Sequence, residues 1–122
     1  MSDFTKIVES YLAAWNEQDA GARLKLVTEV FASDATYTDP LAEVSGHDGI
    51  SALIGAAQGQ FPGMVFTAGG PVDQHHDIAR FTWNLGPVGV AEAPVVGFDV
   101  AKVNADGKIV TVFGFLDKVP QG

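Results

Sequence analysis

The amino-acid sequence predicts an α+β fold, in which three helices precede a curved, mostly antiparallel β-sheet. Apolar residues recur at helical spacing as far as about residue 61 and then alternate with a period of two. The breaks in the second half carry Gly, Pro and Asp residues typical of turns, and strands do not alternate with helices as they do in parallel α/β folds. The 122 residues suffice for one domain, over residues 1–122, with a core large enough to contain a pocket.

Three helices are predicted before residue 62. The first spans residues 3–17, because a stripe of apolar side chains follows Ser2 and Asp3, either of which can cap its start. The second covers residues 24–31, where the apolar spacing resumes, and the third covers residues 50–61 and ends at a Pro-Gly pair. We expect these helices to form one layer over the sheet.

The predicted strands begin with a short one over residues 35–39, which Pro40 ends because proline has no N–H to donate. Gly97 and Gly114 interrupt apolar strands, and glycine at such positions allows a sheet to bend. Three helices against a strongly curved sheet make a cone that is open at one end and encloses a pocket. The remaining strands are expected over residues 64–68, 72–75, 78–85, 94–103 and 108–118, with the clearest hairpin at residues 104–108.

Charge and composition exclude several classes of partner. Asp and Glu number 15 against seven Lys and Arg, and the net charge of −8 disfavours binding to nucleic acids and anionic membranes. The sequence has no continuous apolar run long enough to span a membrane and no signal peptide, so we expect a cytoplasmic protein. The absence of cysteine excludes disulfides and thiolate metal sites. A small hydrophobic molecule is the expected ligand.

Four short segments of the chain carry a resemblance to a known family. They are Tyr11-Leu-Ala-Ala-Trp15-Asn16, Phe31-Ala-Ser-Asp34-Ala-Thr-Tyr37-Thr-Asp39-Pro40, Gly46 with Gly49-Ile50, and Gly97-Phe98-Asp99-Val100 before Asp106-Gly107-Lys108-Ile109. In this order they resemble the NTF2-like superfamily, and best its SnoaL-like and ketosteroid-isomerase-like branch. The resemblance implies a cystatin-like cone, a homodimer formed through the outer face of the sheet, and chemistry without a cofactor or metal. It leaves isomerases, cyclases, dehydratases, epoxide hydrolases and binding domains open.

Asp39 and Tyr11 are the first two candidate catalytic residues. In ketosteroid isomerases the aspartate of the matching Asp-Pro pair is the general base, so the resemblance implies that role for Asp39. Asp-Pro pairs also end strands without any catalytic role. Tyr11 matches the family's oxyanion-hole tyrosine and lies on the apolar stripe of the first helix, where a tyrosine also serves as an ordinary core residue.

Asp99 is the third candidate, because it is the one carboxylate in the apolar strand over residues 94–103, where an isolated charge is costly. It must therefore be protonated or paired, and Arg80 is the candidate partner. By motif, Asp99 matches the neutral carboxylic acid that donates the second oxyanion-hole hydrogen bond in ketosteroid isomerases. The residues predicted to contact the ligand are Trp15, Tyr37, Phe66, Arg80, Phe81, Trp83 and Phe113.

Other chemistries find less support in the sequence. Epoxide hydrolases of this fold use an Asp-Arg-Asp arrangement, but Thr82 stands where the second strand carboxylate is required. His75 and His76 adjoin a turn, which disfavours a dehydratase with pocket histidines, and the alternation of Asp73, His75 and Asp77 is that of a solvated hairpin tip and not of a metal site.

The leading hypothesis is therefore acid-base catalysis on a small apolar carbonyl compound, with Asp39 as the base and with Tyr11 and Asp99 as oxyanion donors. The alternative is a ligand-binding or dimerisation domain without catalysis. The burial of Asp99 and the identity of its partner separate these two functions.

Overall fold

A layer of three helices packs on one face of a seven-stranded sheet in the computed structural model, which describes residues 4–89 and 92–119. The helices are α1 (Phe4–Asn16), α2 (Ala20–Val30) and α3 (Gly46–Gln60). The strands are β1 (Phe31–Thr38), β2 (Glu43–Ser45), β3 (Met64–Ala68), β4 (Asp73–His75), β5 (Ile78–Pro87), β6 (Val95–Val103) and β7 (Ile109–Lys118). The α+β fold class predicted from the sequence is confirmed.

The order of the strands brings the first strand of the chain beside the last. The sheet runs β2-β1-β7-β6-β5-β3, with β4 paired to β5, and only the β1 and β7 pair is parallel. Thr38 at the end of β1 is in register with Phe113, and the next residue of β7, Gly114, is in register with Asp99 of β6. This register places the Asp-Pro turn after β1 next to the middle of β6.

Each strand of the central sheet presents one face to the helices and one face away from them. Along β6 the residues from Val95 to Val103 alternate between buried and less buried, so Gly97, Asp99 and Ala101 share the inner face. The outer face carries Phe98 and Phe115, whose rings stack with centroids 5.0 Å apart. Phe113 and Phe115 are each 50% exposed, so the helices cover only one of two apolar faces.

Helix α1 buries one side against the sheet, as the apolar stripe predicts. Its buried residues include Phe4, Val8, Tyr11 and Trp15, which follow helical spacing. At its end, the Asn16 side chain donates to the backbone carbonyl of Phe66 at 2.8 Å and accepts from the Phe66 backbone N–H at 2.7 Å. This reciprocal pair attaches α1 to β3.

A buried arginine joins the other two helices. Asp19 caps α2 by accepting from the Ala22 backbone N–H at 2.8 Å. Arg23, one turn later, donates to the backbone carbonyls of Glu17 and Gln18 and to the Gln58 side chain of α3. The guanidinium group thereby satisfies polar groups at the point where the three helices meet.

The second helix and the first strand differ from their predicted bounds. The structure ends α2 at Val30 and begins β1 at Phe31, four residues earlier than predicted, because Phe31 adopts extended dihedrals and pairs with Ile109 of β7. Its carbonyl oxygen also hydrogen-bonds the His47 ring at 2.8 Å. The three-residue β2 was not predicted, since it is a short and mostly exposed edge strand.

The predicted start of the first helix at residues 2–3 lies outside the described residues. Within the described parts of the chain, no helix combines the length and the apolar character needed to cross a membrane.

The inner face of β6 is closely packed around Gly97. A Cβ atom there would lie 2.4 Å from Trp83 Cζ2 and 2.5 Å from the Phe115 carbonyl oxygen, so the neighbouring backbone would have to move. We expect Gly97→Ala to lower the free energy of unfolding by about 3 kcal/mol in urea titrations. Gly59→Ala is the control, because nothing lies within 4 Å of its Cβ position on α3, and it should stabilise the chain by about 0.5–1 kcal/mol. Equal effects of the two changes would contradict this account.

Candidate functional site

A cavity of about 550 Å³ lies between the helices and the inner face of the sheet. Its wall is mostly apolar, and its ionisable groups are two aspartates and two tyrosines. Among the described residues that line it there is no Lys, Arg or His. The lining residues are Tyr11, Leu12, Trp15, Tyr37, Asp39, Pro40, Leu41, Ala42, Leu53, Ala56, Ala57, Gln60, Phe61, Phe66, Trp83, Leu85, Val95, Asp99, Gly114, Phe115, Leu116 and Val119.

Asp99 is a buried carboxyl group of this cavity and is 2% exposed. Its Oδ2 accepts a hydrogen bond from the Tyr11 hydroxyl at 2.7 Å, and its Oδ1 accepts one from Trp83 Nε1 at 3.1 Å. Burial raises the pKa of Asp99 from 3.8 to about 6, the two donors oppose this rise, and the charge of Asp39 adds to it. Asp99 is therefore able to change its protonation state near neutral pH.

Asp39 lies nearer the mouth of the cavity, in the turn after β1. The Tyr37 hydroxyl donates to its Oδ2 at 2.8 Å, and the backbone N–H groups of Leu41 and Ala42 donate to its Oδ1 at 2.8 and 2.9 Å. A carboxylate offers about four acceptor positions, so one position stays available to a ligand or to water. The three donors hold both oxygens of Asp39 in fixed directions.

Gly114 of β7 separates the two carboxylates. A Cβ atom at Gly114 would lie 2.9 Å from Asp99 Oδ1, 3.2 Å from Asp39 Cβ and 3.4 Å from the Tyr37 hydroxyl oxygen. Asp99 Oδ1 and Asp39 Cβ are therefore at most the sum of the first two distances, 6.1 Å, apart. One small ligand can contact both carboxyl groups because glycine leaves this space open.

The two tyrosines remain neutral hydroxyl donors. Burial, followed by the charge of Asp99, raises the pKa of Tyr11 and of Tyr37 well above the ordinary tyrosine value. Both rings pack on Trp15, with centroids 6.2 Å away for Tyr11 and 5.6 Å away for Tyr37. The Trp15 N–H opposes part of the pKa rise of Tyr11, yet no acceptor lies within hydrogen-bond distance of it among the described residues.

The structure brings the three predicted catalytic residues to one cavity. Tyr11, Asp39 and Asp99 all line it, and Tyr11 and Asp99 are directly hydrogen-bonded. Four of the residues predicted to contact a ligand also line it, namely Trp15, Tyr37, Phe66 and Trp83.

Three predicted ligand contacts lie elsewhere. Arg80 projects from the outer face of β5, where its exposed side chain pairs with Asp73 at 3.1 Å, so the expected alternative pair with Asp99 does not form. Phe81 faces inward but packs edge-on against Tyr11 in the core, with centroids 5.3 Å apart. Phe113 lies on the outer face of β7 and is half exposed. Alternation along β5 and β7 explains Arg80 and Phe113.

Sequence reasoning missed several groups that shape the site. The backbone N–H groups of Leu41 and Ala42 bind Asp39, and a turn after an Asp-Pro pair is the pattern from which they could have been expected. Gly114 was identified only as a point where the strand bends, whereas its missing side chain also makes room between the carboxylates. Trp83 was expected to contact a ligand, and its N–H binds Asp99 as well.

The raised pKa of Asp99 predicts a stability effect with a definite sign. Between about pH 4 and pH 6 the folded chain keeps a proton that the unfolded chain loses, so the contribution of Asp99 to stability is lost as pH rises through 6. Asp99→Asn stays neutral, and its free energy of unfolding relative to wild type should rise by about 2–3 kcal/mol from pH 4 to pH 7. Urea titrations at both pH values measure this difference. The exposed Asp34→Asn is the control, and a difference for Asp99→Asn that does not change with pH would contradict the assignment.

Comparison with known proteins agrees with this geometry. Residues 8–112 match the SnoaL-like domain family. The crystal structure of a proposed isomerase of the SnoaL-like family from Agrobacterium tumefaciens is similar, with a TM-score of 0.87 and 41% identity over 93% of this chain and 96% of that chain.

More distant structures share the fold. A proposed polyketide cyclase from Sinorhizobium meliloti has a TM-score of 0.69 at 23% identity, over 89% of this chain and 93% of that chain. A Nostoc punctiforme protein of unknown function with a cystatin-like fold has a TM-score of 0.71 at 14% identity, over 93% and 88% of the two chains. No curated protein matches the chain. With its NTF2-like fold and its match over residues 8–112, the chain belongs to the SnoaL-like family.

Proposed function

We propose that this protein catalyses a proton transfer without a cofactor on a small, mostly apolar carbonyl compound, in the manner of an isomerase or a cyclase. The observation that carries the proposal is the convergence of Tyr11, Asp39 and Asp99 on one apolar cavity of about 550 Å³. A cavity of this size accommodates most of a small organic ligand. The similarity to a proposed isomerase at 41% identity supports the same class of reaction.

Asp39 is the proposed general base. Its carboxylate takes a proton from the carbon next to the substrate carbonyl, so the C–H bond breaks and its electron pair forms an enolate. Tyr11 and a protonated Asp99 then donate hydrogen bonds to the enolate oxygen. Return of the same proton from Asp39 to the γ carbon converts a β,γ-unsaturated ketone into its conjugated isomer, and no other reactant is needed.

The charges around the cavity support a neutral Asp99 in the complex. Without a ligand, both oxygens of Asp99 accept hydrogen bonds, and its pKa of about 6 leaves it mostly ionised at pH 7. An enolate brings a second negative charge and displaces water, and both effects raise the pKa of Asp99 further. Because no Lys, Arg or His lies among the described lining residues, hydrogen bonds from neutral donors are the stabilisation that these side chains offer.

Isomerisation of cyclohex-3-enone to its conjugated isomer, followed by ultraviolet absorbance, tests this function. We expect Asp39→Asn to abolish turnover, because an amide does not accept the proton, while binding of 4-nitrophenol as an enolate mimic is retained. Asp99→Leu should lower the rate by about 10²–10³-fold, equivalent to roughly 3–4 kcal/mol, because one oxyanion donor is lost. Asp99→Asn should be the mildest of the three, since its amide still donates a hydrogen bond.

Exchange of the α protons of cyclohexanone in D₂O, measured by NMR, provides a second assay that needs no double bond. A wild-type chain that neither isomerises the enone nor exchanges these protons, but binds 4-nitrophenol, would favour a ligand-binding domain without catalysis. Full activity of Asp39→Asn would remove Asp39 from the mechanism.

We also propose that two copies of the chain associate through the outer face of the sheet. Phe113 and Phe115 are half exposed there, and the stacked pair of Phe98 and Phe115 extends the same apolar surface. Phe113→Asp should shift the molar mass measured by light scattering from dimer towards monomer at tens of micromolar. Val88→Asp is the control, because Val88 is 81% exposed and lies in the turn after Pro87, the last residue of β5. A monomeric wild-type chain would contradict the proposal.

A further inference from the structure

We propose that Tyr37 is a positioning residue that holds the Asp39 carboxylate for proton transfer, and that the hydrogen-bonded pairs Tyr37–Asp39 and Tyr11–Asp99 form one electrostatically coupled unit. The function of this unit rests on the proposed role of Asp39 as a base, whereas its existence does not. Sequence reasoning assigned Tyr37 only to ligand contact. The arrangement makes it part of the acid-base machinery instead.

The local geometry of β1 places the Tyr37 side chain beside Asp39. Tyr37 and Asp39 are two residues apart, so their side chains point to the same face where the strand ends. The Tyr37 hydroxyl donates to Asp39 Oδ2 at 2.8 Å and is the side-chain donor to this carboxylate, while backbone N–H groups hold Oδ1. Tyr37 is 3% exposed, so its ring is fixed by packing and its hydroxyl direction is preorganised.

The two tyrosine-carboxylate pairs also lie close to each other. Tyr11 and Asp99 form the other pair at 2.7 Å, and both tyrosine rings pack on Trp15. The Cβ position of Gly114 is 3.4 Å from the Tyr37 hydroxyl oxygen and 2.9 Å from Asp99 Oδ1, so these two oxygens are at most 6.3 Å apart by addition. The two pairs therefore lie side by side on the cavity wall around Gly114.

Electrostatic interactions also connect the two pairs. The charge of Asp99 raises the pKa of Tyr37, and the charge of Asp39 raises the pKa of Asp99. The hydroxyl groups of Tyr11 and Tyr37 also affect each other's pKa. The ionisable groups that face the two pairs lie on α1, on β1 with its turn, and on β6. The described lining residues of α3, β3 and β5, and those from Gly114 to Leu116 of β7, contribute no ionisable side chain.

Proton transfer to Asp39 changes its hydrogen bond from Tyr37. When Asp39 accepts the substrate proton its negative charge disappears, so its hydrogen bond from Tyr37 weakens. Tyr37 is thus expected to set the direction of the Asp39 carboxylate before the transfer.

Fluorine NMR tests, without any substrate, whether the Tyr37–Asp39 and Tyr11–Asp99 pairs are coupled. The chain has two tyrosines, so growth on 3-fluorotyrosine places one fluorine on Tyr11 and one on Tyr37 and nowhere else. We expect both signals to move with a common midpoint near pH 6, where Asp99 titrates, and we expect Asp99→Asn to remove that step from both. A Tyr37 signal that does not follow this step would overturn the inference that the two pairs are electrostatically coupled.

Tyr37→Phe tests the positioning role and keeps the ring that packs on Trp15. Loss of this donor should leave the Asp39 carboxylate less well oriented for the isomerisation of cyclohex-3-enone. The turnover number should fall about tenfold while KM changes less than twofold, because orientation is lost and the apolar contacts are kept. Thr36→Val removes a hydroxyl from the opposite face of the same strand and should leave both unchanged.

The outcomes separate the two proposals. If the wild-type chain turns over no ketone, the proposed function fails. The fluorine titration still decides whether the two tyrosine-carboxylate pairs are coupled. If Tyr37→Phe keeps the wild-type turnover number, the positioning role is refuted. If that variant does not fold, as judged by circular dichroism, the wild-type fluorine titration with its Asp99→Asn comparison decides the coupling alone.

Discussion

The burial of Asp99 is the constraint on which the architecture of this protein depends. A carboxylate that is 2% exposed requires hydrogen-bond donors, and it obtains one from Tyr11 of α1 and one from Trp83 of β5. The helix layer must therefore dock at one depth and rotation on the sheet. Trp83 reaches Asp99 only because Gly97 leaves space beneath its indole ring. One buried acid on β6 thus ties together α1 and β5, which are far from it in sequence, and Gly97 of its own strand makes this possible.

The second carboxylate, Asp39, is likewise held in place by its surroundings. Asp39 belongs to a turn, and turns alone rarely define a side chain to within the tolerance that proton transfer needs. Here the parallel pairing of β1 with β7 brings the turn beside Gly114, and three donors then fix both carboxylate oxygens. The two acids consequently meet different environments, because one is buried among apolar side chains and the other is bound by backbone amides nearer the mouth.

How much of this arrangement the sequence predicts depends on whether each interaction is local in the sequence. The period of apolar residues identifies the helices and most strands, and a lone carboxylate in an apolar strand identifies Asp99, since both signals are local. The choice between Arg80 and Tyr11 as the partner of Asp99 depends on strand register, which is not local. Asp99 is opposite Phe81, so Arg80 points to the other face of the sheet. The role of Gly114 depends on three strands at once and left no signal beyond a break in an apolar run.

Charge balance finally connects the fold to the kind of ligand it suits. The cavity has two carboxyl groups, and no described lining residue is basic, so a permanently anionic ligand would meet repulsion from Asp39 and from any ionised Asp99. A neutral ketone meets none, and it acquires negative charge only as Asp39 loses its own by accepting a proton. The total charge of the site then stays constant through the reaction, and charge only moves from the mouth of the cavity towards Tyr11 and Asp99. Hydrogen bonds that gain strength in this way stabilise the transition state more than the bound substrate, which is the condition for catalysis.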